Sequence, residues 1–396
     1  MQNKTWNRRE FLVASAAISA TLASPRLFAA EARRYRAAII GHTGAGDYGH
    51  GLDIVFNGRD NIEVVAVADP DDTGRARAKQ RARAQRDYRD YREMLAKEKP
   101  NLVSIAMRWS DPHHAICKAA LETGAHLYVE KPFTTTLTEA DELIAFAEKK
   151  NLKISVAHQM HLAPVVQALK RQLSDGIIGD LLQLRAHGKQ DNRAGGEDMV
   201  VLGTHLFDLM RLFAGDPLWC TAQVLHRGRE ATTSDARAAG EKIGPVLGDE
   251  IEAQFGFQKG VHGTFTSRGR NRETAGHWGI EFIGSKGAIR LLADIVPRVF
   301  VRSPISWSDS GAKAEWSPLP WDKPADFKPG VDGANGRMLD DLLAAVETGR
   351  QPSCSASDAT KAIEIVMAIY QAGLSQQRIT FPLKRRDHPL MLAIRG

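Results

Sequence analysis

The sequence predicts a parallel, doubly wound α/β domain followed by an α+β domain with a mainly antiparallel open sheet. Three observations carry that expectation: apolar runs alternating with helical periodicity in the first half, a glycine cluster directly after the first run, and hairpin-punctuated strands in the second half. The chain has 396 residues, 43% apolar and 25% charged, which suits two cored domains and excludes a disordered or collagen-like polymer.

The runs 37–40, 62–68, 102–107, 126–129 and 154–157 are predominantly apolar rather than alternating, as strands covered on both faces must be. Between them, Thr136 and Glu139 form a capping box ahead of one helix, and Gly124 stands where the helix from His113 should stop. From about Gln159 the pattern changes to a helix and then to strands near 181–188, 250–257, 261–267, 279–283 and 288–291. Gln258-Lys259-Gly260 and Gly284-Ser285-Lys286-Gly287 read as hairpin turns, and a helix pair near 336–348 and 356–374 closes the chain.

Strand 37–40 runs directly into Gly41-His42-Thr43-Gly44-Ala45-Gly46-Asp47-Tyr48-Gly49. Glycines there permit a tight turn and let backbone N–H groups approach a pyrophosphate, the device of a Rossmann dinucleotide site. Two registers fit: Gly44, Gly46 and Gly49 match G-x-G-x-x-G literally, whereas Gly41, Thr43 and Gly46 place the turn at the strand end, and the second is preferred. Asp69 ends the next strand at the spacing where a carboxylate accepts from the adenosine ribose hydroxyls, which favours NAD over NADP. Its alternative is a turn acid before Pro70.

Formal net charge is +6, but the first 30 residues hold Lys4, Arg8, Arg9 and Arg26 against Glu10, so the remainder is only weakly basic and no nucleic-acid partner is expected. Cys117, Cys220 and Cys354 are far apart and odd in number, so neither a metal site nor a disulfide framework is expected. Arg8-Arg9 followed by the apolar stretch 11–23 resembles a twin-arginine export signal. That stretch is shorter than the about 20 residues a spanning helix needs, and Phe28-Ala29-Ala30 or Ala30-Glu31-Ala32 suits cleavage. An uncleaved anchor is the alternative. The expectation is therefore a periplasmic or otherwise exported enzyme that meets the twin-arginine machinery already folded, with a tightly retained cofactor. The expected division is 1–32 signal, 33–158 NAD-binding Rossmann domain, and 159–396 substrate and oligomerisation domain.

Further along come Asp111-Pro112-His113-His114, Val129-Glu130-Lys131-Pro132, Gly195-Gly196 and Gly203-Thr204-His205-Leu206-Phe207-Asp208. This ordered set resembles the Gfo/Idh/MocA family of oxidoreductases, from Arg36 to the closing Phe381-Pro382-Leu383. The resemblance implies an open sheet that often mediates homo-oligomers and an active site between the nicotinamide and the second domain. It also implies catalytic roles for Lys131 and His205, with Glu130 and Lys131 on the cofactor side.

For a sugar or polyol hydroxyl, an ammonium that stabilises the developing alkoxide and an imidazole that takes the proton form a sufficient pair. Asp208, one helical turn after His205, is a candidate to orient the imidazole. Relatives with the fuller motif carry an acid four residues before the histidine, where this chain has Val201. The candidates to replace it at the substrate are Asp191, Arg193, Glu197 and Asp198, in the charged loop before the His205 helix, with a solvated connection as the alternative. His158, His161 and His187 are read as structural. The leading reading is a hydride-transferring NAD oxidoreductase for a sugar, polyol or glycoside. A glycoside-cleaving cycle of oxidation, elimination and reduction on retained NAD is the alternative, and a non-catalytic nucleotide- or sugar-binding protein the lesser one.

Overall fold

The structure, a computed structural model, describes residues 34–269, 278–302 and 315–391. The twin-arginine pair and the apolar stretch 11–23 lie outside the described residues. No helix among the described residues is long and apolar enough to cross a membrane.

Six strands make the first sheet: β1 (Tyr35–Ile40), β2 (Ile62–Ala68), β3 (Arg86–Tyr88), β4 (Leu102–Ile105), β5 (His126–Val129) and β6 (Ile154–Val156). Their order is β3-β2-β1-β4-β5-β6, and every pairing is parallel. The order reverses between β1 and β4, so the crevice at their carboxyl ends is where a ligand of this fold binds. β3 escapes the hydrophobic pattern because it is a polar edge strand, exposed or half-buried along its length. The Thr136–Glu139 capping box forms as expected and starts helix Leu137–Lys149.

One difference bears directly on the cofactor loop. The segment between β1 and β2 contains no helix: residues 42–58 run through consecutive turns. Gly44, Gly46, Gly49, Gly51 and Gly58, together with Asp47, all adopt positive φ, which no right-handed helix accommodates. Any anion here meets turn N–H groups rather than a helix terminus.

The second sheet is mixed but mainly antiparallel. Its order runs Ser317–Pro318, Arg298–Arg302, Ala288–Leu292, Gly279–Gly284, Leu181–His187, His262–Arg268, Glu250–Gly256, Trp219–His226 and Ile379–Thr380, with Arg229–Glu230 paired beside Trp219–His226. Only Leu181–His187 against His262–Arg268 is parallel. Both hairpin turns read from the sequence join antiparallel neighbours.

The last helices tie the halves together. Met338, Leu339, Leu342 and Leu343 of helix Gly330–Thr348 share a buried cluster with Ala37, Ile39, Leu52 and Phe56 of the first domain. Helix Ala356–Ser375 is buried along most of its length and joins a second cluster that runs from Ala38 to Phe265 and Leu390. A core shared across both sheets holds the crevice walls at fixed separation.

Candidate active site

The glycine loop is built around a buried carboxylate. Asp69 accepts from Thr43 N and Oγ1, from the Tyr48 hydroxyl at 2.8 Å and from Asp71 N at 2.9 Å. It is fully buried, so its oxygens serve the protein's own loop and do not stand open to a ribose, as had been expected from its position. Burial and the neighbouring carboxylate push the Tyr48 phenol far upward, which keeps it a donor. Tyr48 also lies over Gly41, where a Cβ would come within 2.1 Å of the ring. Gly41 and Thr43 are thus committed to the loop's interior. The glycines that need positive φ are the literal set: Gly44 faces open space, Gly46 presses on the backbone of Arg108 and Trp109, and Gly49 presses on Glu130.

Beyond the loop, Glu130 and Lys131 follow β5 at the carboxyl edge of the sheet. Lys131 is buried, and its Nζ donates to the carbonyl of Val201 at 3.1 Å. Glu130 Oε1 lies 3.9 Å from that ammonium and 3.8 Å from His50 Nδ1, yet neither Glu130 oxygen accepts a hydrogen bond. Burial pulls the Lys131 pKa down, and the Glu130 charge works against it.

His205 stands in the first turn of helix Thr204–Ala214, behind a π-helical turn, Met199–Gly203, that carries Val201 into the wall. Its ring meets His158 edge-on at 5.2 Å between centroids and Trp278 at 5.8 Å. Burial, and then the Lys131 charge, hold its pKa well below the ordinary histidine value. Its Nδ1 and both nitrogens of His158 are buried without partners, so His158 is not the satisfied structural residue expected from sequence. Buried polar atoms are paired in the great majority of cases. Five unpartnered ones around a single ammonium mark a surface prepared for a ligand.

The other candidates are placed differently. Asp208 makes no hydrogen bond to His205; its carboxylate accepts from His161 Nδ1 at 2.9 Å, because one helical turn carries it toward the 3-10 turn Gln159–Leu162. Asp198 is buried under Lys189 N, Gln190 N and Ser267 Oγ, and Glu197 under Gly240 N and Arg237, so both staple backbone and neither lines the crevice. Asp191 is bound to Arg193 by its backbone N–H and guanidinium. Of that loop group only Arg193 reaches the crevice, a cleft of about 190 Å³ that Lys131, Val201 and His205 also line. His50, Gln159, Glu241 and Trp278 line it too, and no motif announced them.

A doubly wound sheet with a glycine-rich loop at its switch point, and a buried Lys at the sheet's carboxyl edge that shares a cleft with a buried His of the second domain, define a dinucleotide-dependent oxidoreductase. The chain belongs to the Gfo/Idh/MocA oxidoreductase family: residues 35–158 match its NAD-binding Rossmann fold and residues 170–381 its C-terminal alpha/beta domain. It is 25% identical over 349 residues to D-apiose dehydrogenase of Paraburkholderia graminis, covering 85% of this chain and 87% of that one. Levoglucosan dehydrogenase of Pseudarthrobacter phenanthrenivorans is 26% identical over 255 residues, 57% of this chain and 64% of its own length. A levoglucosan dehydrogenase structure with NADH and levoglucosan shares the fold, with a TM-score of 0.69 at 20% identity, covering 89% of this chain and all of that one.

Proposed function

We propose that this chain is an exported, NAD-dependent oxidoreductase acting on a hydroxyl of a sugar, polyol or glycoside. The observation that carries the reading is the convergence of unpartnered buried groups on Glu130, His158 and His205 around the Lys131 ammonium. Two relatives named for sugar substrates support the substrate class. The nicotinamide, when bound, supplies the acceptor for the hydride that leaves the carbinol carbon. The orphaned Glu130 carboxylate and the open approach to Gly44 fit that group, which Gly44, Gly46, Glu130 and Lys131 would hold.

His205, neutral because burial and Lys131 disfavour its cation, takes the hydroxyl proton. The Lys131 ammonium faces the oxygen as negative charge develops on it, and Glu130 helps keep that ammonium protonated. NAD is the preferred cofactor because residues 35–158 match a Rossmann fold described as NAD-binding and a solved structure of the same fold holds NADH. Export rests on Arg8-Arg9 and the apolar stretch after them, and cofactor retention follows from the absence of a nucleotide supply outside the cytoplasm. Alternating buried and partly exposed residues along Glu250–Gly256 and His262–Arg268 leave one sheet face uncovered, which supports a homo-oligomer.

The test begins with protein purified without added cofactor, whose released nucleotide is identified by mass spectrometry, with NAD expected. A panel of D-apiose, levoglucosan, hexoses, inositols and aryl glycosides is then assayed for nicotinamide reduction. Lys131→Ala and His205→Ala should each lower turnover sharply; normal turnover in either would overturn the mechanism. Glycoside cleavage without accumulation of reduced nucleotide would assign the retained-cofactor cycle instead. Replacing Arg8 and Arg9 by Lys should leave the protein in the cytoplasm.

A further inference from the structure

The cleft is rich in cations and poor in acceptors. Arg108, Lys131, Lys189 and Arg193 line it, and the wall at Val201 and Leu202 is hydrocarbon. Among the described lining residues only Glu241 and Asp294 carry carboxylates, and Asp294 is exposed at the rim. A polyhydroxyl ring presents donors as well as acceptors, so it needs an acceptor fixed inside.

Glu241 is held for that purpose by a hairpin that spans the two domains. Arg237–Ala238 pairs with Pro245–Val246, and Glu197 fixes the first limb through Arg237 Nη1 at 2.9 Å and Gly240 N at 3.0 Å. At the tip, the carbonyl of Lys242 accepts from Asp111 N at 3.3 Å, and its ammonium lies 5.5 Å over the Trp109 ring, both on the first domain. Arg193, clamped by two guanidinium bonds to Asp191, donates to Glu241 Oε1 at 3.2 Å. No protein group among the described residues bonds the second oxygen.

We propose that Glu241 is the substrate-binding carboxylate of this enzyme, accepting hydrogen bonds from hydroxyls next to the one oxidised, with Asp191 and Arg193 as its positioning strut. The assignment rests on the dehydrogenase reading above. It replaces the acid expected four residues before His205 with one supplied about forty residues later in the chain. The Glu241 charge also acts on Lys131, in the direction that keeps the ammonium charged.

The experiment uses the carbohydrate of the panel that the wild type oxidises fastest. Glu241→Gln should raise KM by ~10-fold and Glu241→Ala by ~100-fold, the range for losing a hydrogen bond to a charged acceptor, with kcat falling less than KM rises. Arg193→Ala, which frees Glu241 without removing it, should raise KM less than Glu241→Ala. Melting temperatures should stay near wild type, since Glu241 is a partly exposed turn residue. A wild-type KM in both Glu241 variants, or a loss confined to kcat, overturns the assignment while leaving the dehydrogenase reading intact. A wild type that reduces no nicotinamide with any panel member removes both.

Discussion

Two buried carboxylates, Asp69 and Glu130, stand at the carboxyl edge of the same parallel sheet and are wired in opposite ways. Asp69 is surrounded by donors from Thr43, Tyr48 and Asp71, whereas both oxygens of Glu130 are without one. A buried charge whose hydrogen bonds are complete stabilises the fold that supplies them; one left incomplete costs free energy that only a ligand recovers. Exposure and residue type do not separate the two groups. Hydrogen-bond accounting does: the glycine loop's acid is satisfied within the protein and the β5 acid is not.

The largest effect expected from this contrast is on turnover. Lys131→Ala and His205→Ala should each lower kcat by ~10²–10⁴-fold, His205→Ala with little loss of melting temperature because its Nδ1 has no partner, and Lys131→Ala with some loss because it strands the Glu130 carboxylate 3.9 Å away. Wild-type kcat in either variant would break the assignment of the unpaired region to catalysis.

Next in size is the cost of disrupting the paired region. Asp69→Ala strands the Tyr48 hydroxyl and the Thr43 donors in the interior and should destabilise the protein by roughly 3 kcal/mol in denaturant unfolding. A loss of nucleotide affinity with unchanged stability would instead return Asp69 to the ribose.

Acid should weaken the fold by a smaller amount. His158, His205 and His388 all have pKa values depressed by burial, His388 to about 4. The unfolded chain protonates them below about 6.5, so their neutral burial costs nothing above that pH and progressively more as pH falls toward the folded values. These groups should lower the melting temperature as pH falls below 6.5; His161, whose burial is outweighed by the Asp208 carboxylate that raises its pKa, acts in the opposite direction and loses its contribution as pH rises through its folded value. The His205 shift sets the acid limb of kcat/KM below 6.5, because the His205 base is lost only on protonation, and the Lys131 shift places the alkaline limb below 10.5.

The smallest stability change should come from Glu130→Gln. It removes a buried charge that has no hydrogen bond to lose and only the Lys131 ammonium, 3.9 Å away, as a counter-charge, so it should cost less in denaturant unfolding than Asp69→Ala. Its kinetic trace is an alkaline limb moved to lower pH, since the Glu130 charge supports the Lys131 ammonium. A large destabilisation would mean that Glu130 carries structural weight after all.

Resemblance to the family singled out Lys131 and His205, whereas local pattern was enough to read β1, β2 and β4 to β6, the Thr136 capping box and the closing helices. These latter features depend on residues adjacent in the chain: continuous apolar runs and a cap three residues from its partner. β3 was illegible because Arg86, Asp87 and Tyr88 carry no apolar signal at a sheet edge. Asp208, Glu197 and Asp198 were legible as charges but not by role, since their partners His161, Arg237 and Ser267 are set by long-range packing.

The sequence by itself determined that this chain folds as a doubly wound sheet followed by a mainly antiparallel one, and that a glycine loop and an E-K-P turn lie at strand ends. Short-range sterics and hydrophobic periodicity decide such matters. Only the tertiary structure decided which carboxylates are satisfied, that residues 42–58 make turns rather than a helix, and that Glu241 shares a cleft with Lys131 and His205. A hydrogen bond or a shared cavity depends on which distant segments the packed core brings together, and no local pattern records that choice.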